Sequence, residues 1–322
     1  QRLRHGPCSF VLIFELEDGV NLIDEQSRSL ATRPRSVEQG GTHEPLGATL
    51  RRWALGLLWS LKPPRLYGVP AMLGTLAKHY AGFGLPHGAL PDPDKALAHP
   101  DGLAGLCTDL SVPTLMAGYA RGLFPFAHVG PQKWWAPRER MICRPDDIHV
   151  AKTTGRLLRL EQYDVTFDTA FDAVIRACAE SRPGRPHLTW IRPDIIDAYE
   201  ALHEAGYAHS VEVWDQAGNL AGGLYGVAVG KAFVIESMFA RQPDTSKVGL
   251  ITLSAHLHKW GFSFSDAKRD SGHLRRLGFT LVARREFNAL MVEAAREPGS
   301  PGPWSVDKSV DVCQWNPRPS PV

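Results

Sequence analysis

Apolar and polar residues alternate with a two-residue period in Ser210-Val211-Glu212-Val213-Trp214, as expected of a strand with one buried face. Gly222-Gly223-Leu224-Tyr225-Gly226-Val227 and Val234-Ile235-Glu236-Ser237-Met238-Phe239 follow at short spacing. Residues 215–219 supply one turn and Gly230-Lys231 the next, so the pattern predicts a three-stranded antiparallel meander. On the third strand Glu236 lies among apolar neighbours, where a carboxylate without a partner is costly to bury. On either side the pattern changes to the helical period. Ser111 can cap a helix running through Tyr119 to Gly122, and Asp168 a second with Phe171, Val174, Ile175 and Cys178 on one face. Pro193 suits the first turn of a third, which carries Ile196, Tyr199 and His203 and stops at Gly206. After the meander Ser246 can cap a helix with Leu250, Leu253 and Leu257 inward, ending at Gly261. A strand over 262–266, a short helix over 271–277, a strand over 279–283 and a final helix complete the series.

The first 94 residues are harder to place. Residues 10–14 (Phe-Val-Leu-Ile-Phe) predict a strand, and 25–48 are polar with Pro and Gly, as in a loop or linker. Residues 51–84 predict one or two short amphipathic helices, read as a packing appendage in preference to a membrane-surface segment. Pro63, Pro64, Pro86, Pro91 and Pro93 break up the approach to residue 95.

Composition narrows the class more than it names it. The 322 residues are 43% hydrophobic and 22% charged, ordinary for a globular protein with a sizeable core. Cys8, Cys107, Cys143, Cys178 and Cys313 form no CxxC pair and are odd in number, which fits a reducing, cytoplasmic setting better than a disulfide scaffold or zinc ribbon. No HxxxH or Asp/His cluster suggests a metal, and no apolar run reaches the roughly 20 residues of a membrane span. The net charge of +2 is small, but it is unevenly spread. Residues 131–160 hold seven Lys/Arg against three acids, and 268–285 hold six against one, segments able to follow phosphates.

Six motifs occur in one order: Arg121-Gly122-Leu123-Phe124-Pro125-Phe126; Trp134-Trp135-Ala136-Pro137 with Arg140; Thr189-Trp190-Ile191; Ala198-Tyr199 with Leu202-His203; Glu236-Ser237-Met238-Phe239; and Ser246-Lys247. Together they resemble the leucyl/phenylalanyl-tRNA–protein transferases over roughly residues 95–290. The resemblance implies an α+β fold: an N-acetyltransferase-like (GNAT-like) mixed sheet flanked by helices, after a small N-terminal α/β domain. It divides the chain into an unassigned extension (1–94), the small domain (95–155), the GNAT-like aminoacyltransferase domain (156–298) and a flexible C-terminal tail (299–322). The implied reaction moves a leucyl, phenylalanyl or other apolar amino acid from aminoacyl-tRNA to the N-terminal amine of acceptor proteins. Those acceptors bear N-terminal Lys or Arg and are thereby marked for degradation, with no cofactor needed.

Such a reaction starts from an activated ester, so the protein must orient two substrates, remove one proton and stabilise an oxyanion. No activated nucleophile is advertised at Ser246 or Ser271. Glu236 and Asp266 are the candidate carboxylates: Asp266 as proton acceptor or orienter of the amine, Glu236 as attractor of the substrate ammonium, with the two roles exchangeable. Without the resemblance, a structural pairing of Glu236 with a buried His or Arg is the better reading. By position in the family's motifs, Leu224, Phe233, Met238, Leu250 and Leu253 would line an apolar pocket for the aminoacyl side chain, each of them equally suited to plain core. Phe126, Trp190 and Tyr199, with Tyr119 nearby, would stack on the terminal adenosine. His209 could serve as a base, although a structural strand histidine is the better reading.

The chain departs from the family at three points. Ile235 replaces the glycine before the Glu, Phe126 replaces a Trp, and Ser265-Asp266-Ala267-Lys268 stands where the family reads Asp-x-Gln. Lys268 can only donate hydrogen bonds, so it could stabilise an oxyanion or touch a phosphate but cannot accept as Gln does. Two other functions compete. An acyl-CoA-dependent N-acyltransferase would want a glycine-rich pyrophosphate loop, whereas residues 241–249 have no Gly-x-Gly and Pro243 removes a donor. A non-catalytic tRNA- or N-degron-binding module would need the basic segments and the aromatics but not the two acids.

Overall fold

The computed structural model describes residues 46–60, 65–180, 188–315 and 317. The strand expected over 10–14 and most of the polar segment over 25–48 lie outside them. Two helices open the described part, α1 (Leu46–Ser60) and α2 (Val69–Lys78), within the stretch read as amphipathic. Their outer faces expose Leu50, Trp53, Leu57 and Leu73, while Met72 packs against the core.

The sheets form where the period-two segments predict them, with additions. β1 (Leu103–Leu106), β2 (Phe124–Pro125) and β3 (Lys133–Trp135) make a small antiparallel sheet in the order β1-β3-β2. Helix α3 (Val112–Ala120) lies between β1 and β2 in sequence, and Trp134 packs against its Gly118. The large sheet has the order β10-β4-β9-β8-β7-β6-β5. It is built from β4 (Glu139–Cys143), β5 (Asp164–Phe167), β6 (Ala208–Trp214), β7 (Leu220–Val229), β8 (Ala232–Ala240), β9 (Phe264–Asp266) and β10 (Thr280–Ala283). The meander is β6-β7-β8 as expected, whereas β4 and β5 were not foreseen. β4 is too short to show a clear period, and it joins the large sheet although it precedes residue 155. All pairs are antiparallel except β8 with β9, where Val234 lies opposite Asp266.

Helices α4 (Lys152–Arg159), α5 (Phe171–Ala179), α6 (Pro193–Glu204), α7 (Thr245–Lys259), α8 (Gly272–Arg275) and α9 (Arg284–Arg296) complete the α+β fold. The sheet separates two cores. α3, α5, α6 and α9 cover one face with Leu115, Val174, Ile195, Leu202 and Phe287. α7 covers the other with Val248, Leu250, Leu253 and Leu257. α7 is buried almost all round, which is why its residues carry little helical periodicity.

Three expected caps behave differently. Asp168 does not cap α5, whose first turn follows Ala170. With φ at +53° its carboxylate instead accepts from the Ser210 N–H and the Trp304 N–H and pairs with the His209 ring. Ser246 lies inside α7, and Asp244 takes the cap position. Ser111 does precede α3, but its hydroxyl donates to Asp109 at 2.7 Å rather than capping the helix.

The segment read as a flexible C-terminal tail is packed as far as residue 315. Trp304 is buried, stacks on His209 at 3.6 Å between centroids, and donates its indole N–H to the Ser300 carbonyl. Asp307 pairs with Lys259 and donates its N–H to His256 Nε2. A polar, Pro- and Gly-containing sequence hid this strap, whose apolar contacts come from the scattered Trp304, Val306, Val312 and Trp315.

One hairpin tip depends on glycine. Gly230, between β7 and β8, has φ +56°, and a Cβ there would lie 2.1 Å from the Ala294 carbonyl oxygen of α9.

Candidate active site

Glu236 owes its position to an irregularity in β8. Gly226 pairs with Ile235 and Tyr225 with Ser237, so Glu236 is the extra residue of a β-bulge. The phase of the strand changes there: Phe233 and Ile235 face the α7 core before it, and Met238 faces that core after it. Glu236 therefore projects to the other side, among α3 and α6, where Tyr119 donates to Oε1 at 2.7 Å and Tyr199 to Oε2 at 2.9 Å. The two phenol oxygens also contact each other. Burial first, and the Glu236 charge next, raise both phenols well above the ordinary tyrosine range, so they stay neutral donors.

The third partner of Glu236 is Lys268, whose Nζ lies 2.5 Å from Oε1, both side chains being fully buried. The Phe124 ring faces the same ammonium, 4.4 Å from its centroid. Burial lowers the lysine from its ordinary value, and Glu236 works against that shift. Lys268 lies two residues beyond the end of β9 with φ +66°, a left-handed backbone that an L residue seldom adopts. Asp266 holds it there by accepting the Lys268 N–H at 2.8 Å.

Asp266 itself is occupied. Arg140 on β4 engages both of its oxygens through Nε and Nη2, and a third nitrogen of that guanidinium, Nη1, donates to the Gly122 carbonyl at 3.1 Å. The guanidinium also lies 4.0 Å from the centroid of the Phe287 ring. Two anions and two cations thus alternate from the middle of β8, at Glu236, to the C-terminal end of β9, at Asp266, and on to Arg140 of β4. Each anion has a cation and hydrogen bonds of its own, as buried charges require.

Three further polar atoms on this side have no hydrogen-bond partner: Tyr225 Oη, Ser237 Oγ and Trp190 Nε1. Tyr225 and Ser237 face each other across β7 and β8 beside the bulge, and all three side chains are fully buried. The Trp190 ring meets Tyr199 edge-on at 6.3 Å and Phe126 at 5.5 Å, and Tyr199 meets Tyr225 at 5.6 Å. Orphaned polar atoms of this kind are rare in folded proteins, and their cost is recovered where a ligand supplies the partner.

The chain resembles known proteins over most of its length. Residues 142–292 match the family model of the leucyl/phenylalanyl-tRNA protein transferases, and residues 108–138 match the model of their N-terminal domain. A leucyl/phenylalanyl-tRNA–protein transferase of Alkalilimnicola ehrlichii is 44% identical over 227 residues, 70% of this chain and 88% of the relative. One from Aromatoleum aromaticum is 44% identical over 226 residues, 70% of this chain and 94% of the relative. The chain belongs to this family. Among solved structures, that of L-PGS from Bacillus licheniformis overlaps at TM-score 0.30 with 12% identity, over 54% of this chain and 66% of that one, too loosely to bear on the fold.

The structure brings together part of the expected family site. Glu236, Asp266, Lys268, Tyr119 and Tyr199 form one connected network. Phe126 and Trp190 border it, all four aromatics being buried, with Tyr119 and Tyr199 spending their hydroxyls on Glu236. Leu224, Phe233, Met238, Leu250 and Leu253 lie apart, packed in the core between the sheet and α7. His209 stacks on Trp304 and bonds to Asp168, the structural role. Arg140 is legible as a motif residue but its pairing with Asp266 is not, and Tyr225, Ser237 and Phe124 stand in the motifs and strands without a signal of their place in the site. The signal for Arg140 was a charge set among Met141, Ile142 and Cys143 in a strand-like run. Among the described residues no group of His, Cys, Asp and Glu could hold a metal ion. None of the described helices is long and apolar enough to cross a membrane.

Proposed function

We propose that this chain transfers an apolar amino acid from aminoacyl-tRNA to the N-terminal amine of an acceptor protein. The observation that carries this reading is the buried, charge-balanced network of Glu236, Lys268, Asp266 and Arg140 beside the unpartnered hydroxyls of Tyr225 and Ser237. It lies in a chain 44% identical to transferases that it covers almost end to end. The donor is leucyl- or phenylalanyl-tRNA, the acceptor carries N-terminal Lys or Arg, the product is marked for degradation, and the setting is the cytoplasm.

The mixed sheet, with its one parallel pair at β8 and β9, supports a GNAT-like domain following a small N-terminal one. The two acids divide the work by geometry. Asp266, saturated by Arg140 and the Lys268 N–H, is a positioning residue rather than a proton acceptor. Glu236 anchors Lys268 and the two tyrosines. The reaction then runs chiefly by orientation, which can supply about 7–11 kcal/mol of the barrier without a covalent intermediate. Tyr225, Ser237 and Trp190 offer hydrogen bonds to the polar atoms of the aminoacyl ester, and Phe126, Trp190 and Tyr199 shape the space for the terminal adenosine.

A binding module with the same aromatics would dispense with Glu236. Glu236→Gln keeps the shape and removes the charge. For a catalyst, charged-tRNA affinity holds while transfer falls by about 10²–10⁴-fold. Undiminished transfer, or no transfer by the unaltered chain, refutes the catalytic reading.

A further inference from the structure

Lys268 is held more firmly than a lysine that merely neutralises Glu236 needs to be. Its backbone takes a left-handed turn fixed by Asp266, its stem is fully buried, and Phe124 flanks its ammonium. Yet Glu236 accepts only one of the three Nζ protons, and no second oxygen acceptor for Nζ occurs among the described residues. A buried ammonium with two N–H bonds unspent is poised to donate, and backbone strain of this kind collects at working sites.

The charges around it point the same way. Glu236 and Asp266 are already balanced by Lys268 and Arg140. A substrate ammonium added here would be an unpaired buried cation, so the attacking amine enters neutral, having left its proton in water. What remains is to move one proton from that amine to the departing ribose oxygen.

We propose that Lys268 is the proton shuttle of the transfer, giving a proton to the leaving ribose oxygen and receiving one from the attacking amine. The inference rests on the aminoacyl-transfer reading above. The amine nitrogen bonds to the ester carbonyl carbon, and the carbonyl π pair moves onto its oxygen. That pair then returns, the carbon–ribose oxygen bond breaks, and an Nζ proton passes to the ribose oxygen. The new amide nitrogen, still cationic, returns a proton to Nζ, so the lysine ends as it began and the site keeps its charge. Burial, by lowering the ammonium from its ordinary value, makes it the readier proton donor to the ribose oxygen.

The test compares leaving groups in the full chain. Phenylalanyl-tRNA leaves as a ribose alkoxide that needs a proton, whereas the p-nitrophenyl ester of phenylalanine leaves as a stable phenolate that does not. Lys268→Met should slow transfer from tRNA by about 10²–10⁴-fold and transfer from the nitrophenyl ester by no more than about threefold. Should Lys268→Met fail to fold, Lys268→Arg keeps the ion pair but holds its protons too tightly to shuttle them, and it should show the same dependence on donor. Equal loss with both donors, or no loss with tRNA, overturns the shuttle. Failure of the unaltered chain with every charged tRNA, while it still uses the nitrophenyl ester, overturns the tRNA-transfer reading instead.

Discussion

Replacing Arg140 by methionine should leave Asp266 as a buried carboxylate without its cation. The side chains are 1% and 0% exposed, so water cannot take over from the guanidinium. Two charge-assisted hydrogen bonds to Asp266, the bond to the Gly122 carbonyl and the contact with Phe287 are lost together. Breaking a buried pair on one side costs about 3–5 kcal/mol. Arg176 and Asp172 provide the contrast within the same molecule: their side chains are 57% and 62% exposed, and Arg176→Met should cost no more than about 1 kcal/mol. Chemical denaturation with both variants measures the difference. Arg140→Met/Asp266→Leu, which removes both charges, should recover most of the loss, because the desolvation penalty disappears with the pair. If Arg140→Met costs as little as Arg176→Met, or the double variant is worse than the single, the buried-pair account of this site is wrong.

Three other expectations follow from the same geometry. Tyr225→Phe and Ser237→Ala remove hydroxyls that bond to nothing in the fold, so stability should hold or rise while transfer falls by about tenfold or more; a parallel loss of both would make the hydroxyls structural. Burial lowers His209, His256 and His273, so the unfolded chain binds more protons than the folded one below its ordinary histidine value of about 6.5. Stability should accordingly be full above that value and drop as pH falls from 7 towards 5, and a urea midpoint that stayed flat or rose over this window would contradict it. Of the basic segments, Lys133, Arg140 and Lys268 are buried, while Arg138, Arg144, Lys152, Arg156, Arg159, Arg269, Arg275, Arg276 and Arg285 lie at the surface, where phosphates can approach. Affinity for tRNA should therefore fall steeply between low and physiological salt, and a constant affinity would refute that surface.

The parts of the fold that the sequence disclosed are those bounded by turn and cap residues. β6 alternates over Ser210–Trp214, turn residues part it from the apolar runs of β7 and β8, and α6 shows Pro193 at its start and Gly206 beyond its end, so these elements were legible. α7 was found through its leucines, but near-complete burial erased the stripe that would have told how central it is. β4 and β5 are short and owe their pairing to distant strands, which local pattern does not encode. The bulge at Glu236 is similarly a matter of register between two strands. Ile235 marked the place as unusual, yet nothing local said that the carboxylate would turn towards Tyr119 and Tyr199. Glu236, Asp266, Lys268, Arg140, Tyr119 and Tyr199 were all visible in the sequence, whereas their pairing was not: Arg140 lies 126 residues before Asp266, and Lys268 lies 32 after Glu236. Asp168 misled because a carboxylate at a helix start satisfies the capping pattern even when tertiary partners claim it.

The measurement that bears most directly on the central claim offers the purified chain a mixture of all charged tRNAs with one peptide beginning in Lys or Arg, and reads the peptide by mass. The account predicts a single added residue at the peptide's N-terminus, leucyl or phenylalanyl, formed without any acyl-CoA and abolished when that N-terminus is acetylated. A peptide left unextended by every charged tRNA, or extended only when acyl-CoA is supplied, would contradict it.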